Sequence, residues 1–114
     1  MTDSPININL DKLKGEFFRG EFAVNFSNAL LIQMGKFKVA FSNALYQSKT
    51  TELKEIVHDI VASLRFLEIE DLVVLIYKYK EWDQLDTNQQ EAYVHRVEAY
   101  CDGVMNELSQ FLKN

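Results

Sequence analysis

The segment TELKEIVHDIVASLRF, residues 51–66, sets the helical period of the chain. Its apolar residues recur every three or four positions, at Leu53, Ile56, Val57, Ile60 and Leu64. On an α-helix this spacing places them on one side, and at about 100° per residue His58 projects roughly 120° from the centre of that stripe. The segment is therefore predicted to be an amphipathic helix that buries one side and exposes His58.

Similar apolar stripes precede and follow this segment. Residues 22–47 carry the longest one, and a polar turn at residues 47–50 separates it from the central helix. The predicted core residues of this stripe are Phe22, Phe26, Ala29, Leu30, Phe37, Ala40, Phe41, Ala44 and Leu45. After a break predicted near residues 67–68, helical spacing resumes over residues 72–79. It resumes again over residues 87–112, where Thr87 and Gln90 resemble a capping box. Four such segments with short connections bury their stripes best as antiparallel neighbours. The predicted fold is all-α, an up-and-down four-helix bundle.

The beginning of the chain has a different character. Residues 1–9 contain Ser4 and Pro5 and little periodicity, which predicts a flexible N-terminal arm. Residues 10–18 predict a short additional N-terminal helix. Because 114 residues is the usual size of one domain, residues 10–114 are expected to form a single helical bundle domain.

One group of residues on the long first stripe falls outside the predicted core. Ile32 and Val39 lie well away from the stripe, with Gly35 between them. Such a group is a candidate partner or dimer patch. The favoured interpretation is that the short N-terminal helix covers it.

The charge of the chain excludes several classes of partner. Asp and Glu number 17 against 12 Lys and Arg, which gives a formal net charge of -5. This field repels phosphate backbones and anionic lipid surfaces, so neither nucleic acid nor a membrane is an expected partner. No apolar run approaches the roughly 20 residues that span a bilayer, and a cytoplasmic location is expected.

The chain also offers little for metal or cofactor chemistry. Cys101 is the only cysteine, which excludes an internal disulfide and a cysteine-based metal cage. His95 has no second histidine at ligand spacing, so no metal site is predicted. The sequence lacks a paired carboxylate motif, a nucleophile elbow and a glycine-rich phosphate loop, and no cofactor is expected.

The surroundings of His58 suit chemistry on a phosphoryl group. Lys54 stands one helical turn before it, Ala62 one turn after it and Arg65 two turns after it. A neutral imidazole is a nucleophile, neighbouring cations offset the charge of a phosphoryl group, and alanine leaves room for a partner. A surface histidine beside basic residues is also common without any function. The helical wheel by itself leaves both interpretations open.

The stretch TELKEIVHDIVASLRFLEIEDL, residues 51–72, resembles the signature helix of histidine-containing phosphotransfer (HPt) domains. In that family the phosphoacceptor histidine is followed by an apolar residue at the second position, lysine at the third, glycine at the fourth and another glycine at about the tenth. Here His58 matches the acceptor and Ile60 matches the apolar position. The three departures from the pattern are Val61 for lysine, Ala62 for glycine and Glu68 for the later glycine.

This resemblance implies a carrier in a two-component phosphorelay, not an enzyme. His58 would accept a phosphoryl group from the aspartate of a response-regulator receiver domain and pass it on, with the magnesium ion bound by the receiver. Partners would be a receiver domain, a hybrid histidine kinase or both, and the chain would be a monomer. The residues expected to stabilise the phosphoryl group or to dock the partner are Lys54, Val61, Ala62 and Arg65.

The departures from the family pattern keep two other hypotheses open. One is a non-phosphorylated HPt-like interaction module that binds a receiver or another signalling partner without using His58. The other is a dimeric helical adaptor that associates through Ile32 and Val39.

Overall fold

The computed structural model describes residues 20–113 of the chain, and these residues form helices and short turns. The four α-helices are α1 (Gly20–Tyr46), α2 (Thr50–Phe66), α3 (Glu70–Tyr77) and α4 (Thr87–Lys113). A 3₁₀ helix, Lys78–Gln84, continues directly from α3. No strand occurs within residues 20–113, so the predicted all-α class is confirmed. The arm at residues 1–9 and the helix predicted at residues 10–18 lie outside the described residues.

The helices share one apolar core. α1 packs against both α2 and α4, and α3 packs against α2 and α4 as well. The largest side chains with almost no solvent exposure come from all four helices, and they include Leu30, Met34, Phe41, Leu45, Ile60, Leu64, Leu72, Ile76 and Leu108. A helical bundle accounts for this arrangement, since each helix turns one side towards a common interior.

The buried residues of α1 follow a regular seam with alternating spacings of four and three residues. They are Ala23, Ser27, Leu30, Met34, Phe37, Phe41 and Ala44, with Leu45 beside the last of them. This heptad-like spacing is typical of helices that cross their neighbours at a shallow angle and interdigitate side chains with them. α1 therefore presents a narrow, continuous side to the core along most of its length.

The predicted α1 stripe was partly wrong. Phe22 is 55% exposed, and Ala29 and Ala40 are also exposed, although all three were expected in the core. Ser27 is fully buried, and its hydroxyl has no hydrogen-bond partner in the part of the chain that the structure describes. Apolar residues surround the true seam on several sides, so composition alone does not select the side that neighbouring helices cover.

Helices α1 and α2 end in the same hydrogen-bonded motif. After α2, the Ile69 amide donates to the Leu64 carbonyl at 2.9 Å and the Glu68 amide donates to the Arg65 carbonyl at 3.0 Å. This is a Schellman motif, which requires a left-handed residue after the helix, and Glu68 has a φ of 60°. Ser48, with a φ of 55°, has the same place after α1. The break predicted at residues 67–68 is confirmed.

The start of α4 differs from the prediction by one residue. The Gln89 amide donates to Asp86 Oδ1 at 2.8 Å, and the Asp86 amide donates to Gln89 Oε1 at 3.0 Å. Asp86 and Gln89 thus form the capping box expected of Thr87 and Gln90. The Gln90 side chain instead donates to the Trp82 carbonyl at 3.1 Å. Aspartate caps well here because its carboxylate accepts from an amide of the first turn that has no partner inside the helix.

The third helical segment ends earlier than expected, because α3 changes to a 3₁₀ helix after Tyr77. The Tyr93 hydroxyl donates at this change, and lies 2.8 Å from the Leu75 carbonyl oxygen and 2.9 Å from that of Ile76. Burial of the Tyr93 side chain raises the pKa of its hydroxyl. The hydroxyl therefore stays protonated and joins α4 to the end of α3.

Substitutions at Glu68 test the left-handed turn. This conformation is disfavoured by roughly 1–2 kcal/mol for any residue except glycine. We expect Glu68→Gly to have a free energy of unfolding about 1 kcal/mol higher than Glu68→Ala, measured by urea denaturation. Both variants lose the glutamate side chain, so their difference reports the backbone.

The same pair of substitutions at Glu55, an exposed position inside α2, is the control. There the order of the two free energies of unfolding should reverse, because glycine inside a helix is about 1 kcal/mol less favourable than alanine. The same order at both positions would contradict the assigned turn.

Candidate functional site

His58 lies on the outer side of α2, where its side chain is exposed. Within residues 20–113 it makes no hydrogen bond or ion pair. Lys54, Ala62 and Arg65 are exposed on the same side. The rise of a helix puts Lys54 about 6 Å before His58 and Arg65 about 10 Å after it along the axis. The exposure predicted for His58 is confirmed, and its imidazole is accessible to a partner.

Val61 does not belong to this exposed group. Its side chain is only 4% exposed and forms part of the apolar core. Three residues after His58, position 61 lies about 60° around the helix, towards the buried stripe. The assignment of Val61 to phosphate binding or docking was therefore wrong, because a buried isopropyl group reaches neither a phosphoryl group nor a partner.

Arg65 is held by an aromatic ring. Its guanidinium carbon lies 5.8 Å from the centre of the Tyr77 ring, and the Lys80 ammonium nitrogen lies 5.4 Å from the same ring. We call these three residues the cation clamp. Tyr77 and Lys80 were missed by sequence reasoning because they follow Arg65 by more than ten residues, and only the packing of α3 against α2 brings them near it.

A polar residue of α1 is hydrogen-bonded to α2. The Gln33 side chain donates to the Asp59 carbonyl oxygen at 3.2 Å and accepts from the Ser63 hydroxyl at 3.2 Å. Asp59 directly follows His58, so this contact helps to set the rotation of α2 about its axis. A groove of about 140 Å³ lies beside it, between α1 and α2, and is lined by Gln33, Lys36, Phe37, Ala40, Ile56, Asp59 and Ile60. Gln33 was also missed, because a glutamine beside an apolar stripe has no distinctive pattern.

The candidate partner patch on α1 is only partly a surface. Ile32 and Val39 are each 61% exposed. Gly35 is half-buried and faces α4, since a Cβ atom placed on it would lie 3.9 Å from Met105 Sδ. Gly35 therefore lies towards the contact of α1 with α4 and not on the outer surface with Ile32 and Val39. The predicted cover by residues 10–18 falls outside the described residues.

The other residues considered for chemistry are placed apart from His58. Cys101 on α4 is buried, and desolvation raises the pKa of its thiol to about 12, so it carries no reactive thiolate. His95 is exposed at the edge of a cleft of about 670 Å³ between α3 and α4. Within residues 20–113 no group of three histidine, cysteine or acidic side chains has the arrangement of a metal site. No helix in this range has the length and apolar content needed to cross a membrane.

Comparison of the chain with protein-family models, with curated proteins and with solved structures finds no match.

Substitutions at the neighbouring positions 61 and 62 test the boundary between core and surface. We expect Val61→Lys to lower the free energy of unfolding by about 2–4 kcal/mol, because the new ammonium group must be buried or must disrupt the packing around it. Ala62→Lys, on the exposed side, should change it by less than about 0.5 kcal/mol. Urea denaturation of both variants at pH 7 measures the difference. If the two variants had the same free energy of unfolding, position 61 would belong to the exposed surface and to the candidate site.

Proposed function

We propose that this chain is a histidine phosphotransfer protein of a two-component phosphorelay, with His58 as its phosphoacceptor. The observation that carries the proposal is the accessible imidazole of His58 on the outer side of α2, with Lys54 and Ala62 one turn on either side. The proposal includes an up-and-down order of the four helices and a short additional helix before them, as in the family that the chain resembles. It also includes a cytoplasmic location and a monomeric state.

The turn after α2 supports the resemblance from the backbone. The resembled family has a glycine where this chain has Glu68, and Glu68 has the left-handed conformation that glycine adopts most readily. The departure from the pattern therefore changes the side chain at this position without removing the turn. This agreement is independent of His58.

The proposed reaction is a single phosphoryl transfer. A ring nitrogen of His58 attacks the phosphorus of an aspartyl phosphate on the receiver domain. A nitrogen–phosphorus bond forms, the bond between phosphorus and the aspartate oxygen breaks, and the aspartate leaves as a carboxylate. The imidazole releases its N–H proton to solvent, and the reverse sequence passes the phosphoryl group on. The receiver supplies the magnesium ion, and this chain needs no cofactor.

Lys54 is the residue best placed to supply the charge that Val61 does not. It is exposed one turn before His58 and makes no ion pair within the described residues. Its flexible four-carbon stem spans the rise of one helical turn. Arg65 lies two turns away with its guanidinium group on the Tyr77 ring. We therefore assign stabilisation of the phosphoryl oxygens to Lys54.

Labelling with phosphorylated receiver domains tests the function. We expect at least one receiver of a panel to transfer phosphate to the chain, in a form that acid removes and base does not. His58→Gln should abolish the label. His95→Gln is the matched control and should leave it unchanged, because His95 is also exposed but lies on α4. Refusal by every receiver, or equal labelling of His58→Gln, would contradict the proposal.

The role of Lys54 has its own test. Lys54→Gln should lower the single-turnover transfer rate about 10-fold or more, because the transition state loses an electrostatic partner. Lys54→Arg should keep most of the rate. Lys36→Gln, which removes an exposed charge from α1, should not change it. An unchanged rate in Lys54→Gln would exclude this lysine from the reaction.

The burial of Val61 favours one alternative function. At the position where the resembled family has a lysine, this chain has a valine that is buried in the core. Such a chain can keep the docking surface and still not transfer a phosphoryl group. Such an interaction module would bind a receiver with the same dissociation constant before and after His58→Gln. Binding measured without any transferable label would then separate this alternative from the phosphotransfer protein.

A further inference from the structure

The cation clamp of Arg65, Tyr77 and Lys80 holds two positive charges without a carboxylate. Neither Arg65 nor Lys80 forms an ion pair with any residue in the 20–113 range. Other lysines of the chain do, since Lys38 lies 2.7 Å from Asp102 and Lys49 lies 3.8 Å from Glu52. The charges of the clamp therefore remain available to a group from outside.

The clamp restricts the motion of both cations. A cation over an aromatic ring gains about 0.5–1 kcal/mol at an exposed site. Tyr77 is itself half-buried and packs against the core, so the ring is a fixed support. Side chains ordered before binding lose less entropy when a partner arrives. Two cations from different elements, α2 and the 3₁₀ helix, are thus held at one place.

The clamp shares a surface with His58. Arg65 follows His58 by seven residues, which places it about 20° around the helix and about 10 Å along it. Any protein that brings a reactive group to His58 covers this part of α2. The chain as a whole is acidic, with a formal net charge of -5, whereas the clamp adds to this part of α2 two positive charges that no carboxylate of residues 20–113 pairs with.

We propose that the cation clamp docks an acidic segment on the surface of the partner protein, about 10 Å from the partner group that reaches His58. Its charges act on association and do not contact the phosphoryl group. This inference rests on the proposed function for the identity of the partner, a receiver domain. The recognition of carboxylates by the clamp does not depend on phosphoryl transfer.

A peptide of eight glutamates tests carboxylate recognition directly. Added at low ionic strength to the ¹⁵N-labelled full chain, it should shift the amide signals around Arg65, Tyr77 and Lys80. The double variant Arg65→Gln/Lys80→Gln should weaken binding about fivefold, the effect of two exposed charge pairs. Lys36→Gln/Lys113→Gln removes the same charge from exposed positions elsewhere and should change it less than twofold. Added salt should weaken binding.

The aromatic ring has a separate pair of variants. Tyr77→Phe keeps the ring and should retain peptide affinity, whereas Tyr77→Leu frees both cations and should lower it. Equal peptide affinity of the wild type and Arg65→Gln/Lys80→Gln would overturn the inference. Equal losses in the two double variants would overturn it too, since binding would then follow total charge.

The test of the cation clamp and the test of the proposed function can fail independently of each other. His58→Gln should bind the peptide as the wild type does, and no receiver is needed for that measurement. With a receiver that does phosphorylate the chain, Arg65→Gln/Lys80→Gln should raise the half-saturating receiver concentration about fivefold and change the transfer rate at saturation less than twofold. A lower saturated rate with unchanged half-saturation would place the clamp at the phosphoryl group and contradict the inference.

Discussion

The packing of α1 between α2 and α4 is the constraint on which the rest of the structure depends. The seam of α1 places one buried side chain every three or four residues along nearly its whole length. Rotation of α1 would expose Met34, Phe37 and Phe41 together, so both neighbouring helices must meet this side and no other. Phe41 also contacts the rings of Tyr79 and Tyr93, at 6.2 and 6.4 Å between centroids, which ties the 3₁₀ helix and α4 to the same seam.

The seam of α1 sets the approximate positions of α2 and α4, and polar contacts then adjust the rotation of these helices. Gln33 binds both a backbone carbonyl and a hydroxyl of α2, and Lys38 pairs with Asp102 of α4 at 2.7 Å. These contacts lie at the margins of the core, where they set the rotation of each neighbour without burying an unpaired charge. The outward direction of His58 follows from this setting, because α2 meets α1 along its opposite side.

The same setting divides the functional residues of α2. Val61 falls on the buried side of the boundary, while Lys54 and Ala62 fall on the exposed side. Valine at position 61 contributes to the packing of the core. The positive charge that would stabilise a phosphoryl group must therefore come from another residue. The cations available on this surface come from two sources of different character, since Lys54 is a flexible point charge and Arg65 is held against a ring.

The sequence by itself determined the helical class, the approximate limits of the four helices and the exposure of His58. These features depend on the apolar period and on local hydrogen bonding, which neighbouring residues largely control. It also placed the break after α2, because a polar residue there interrupts the stripe. Only the tertiary structure decided which apolar residues of α1 are buried, that Val61 belongs to the core, and that Arg65 shares a ring with Lys80. Those outcomes depend on contacts between helices that are distant in the chain, and the apolar period marks the covered side of a helix only approximately where apolar residues extend beyond it.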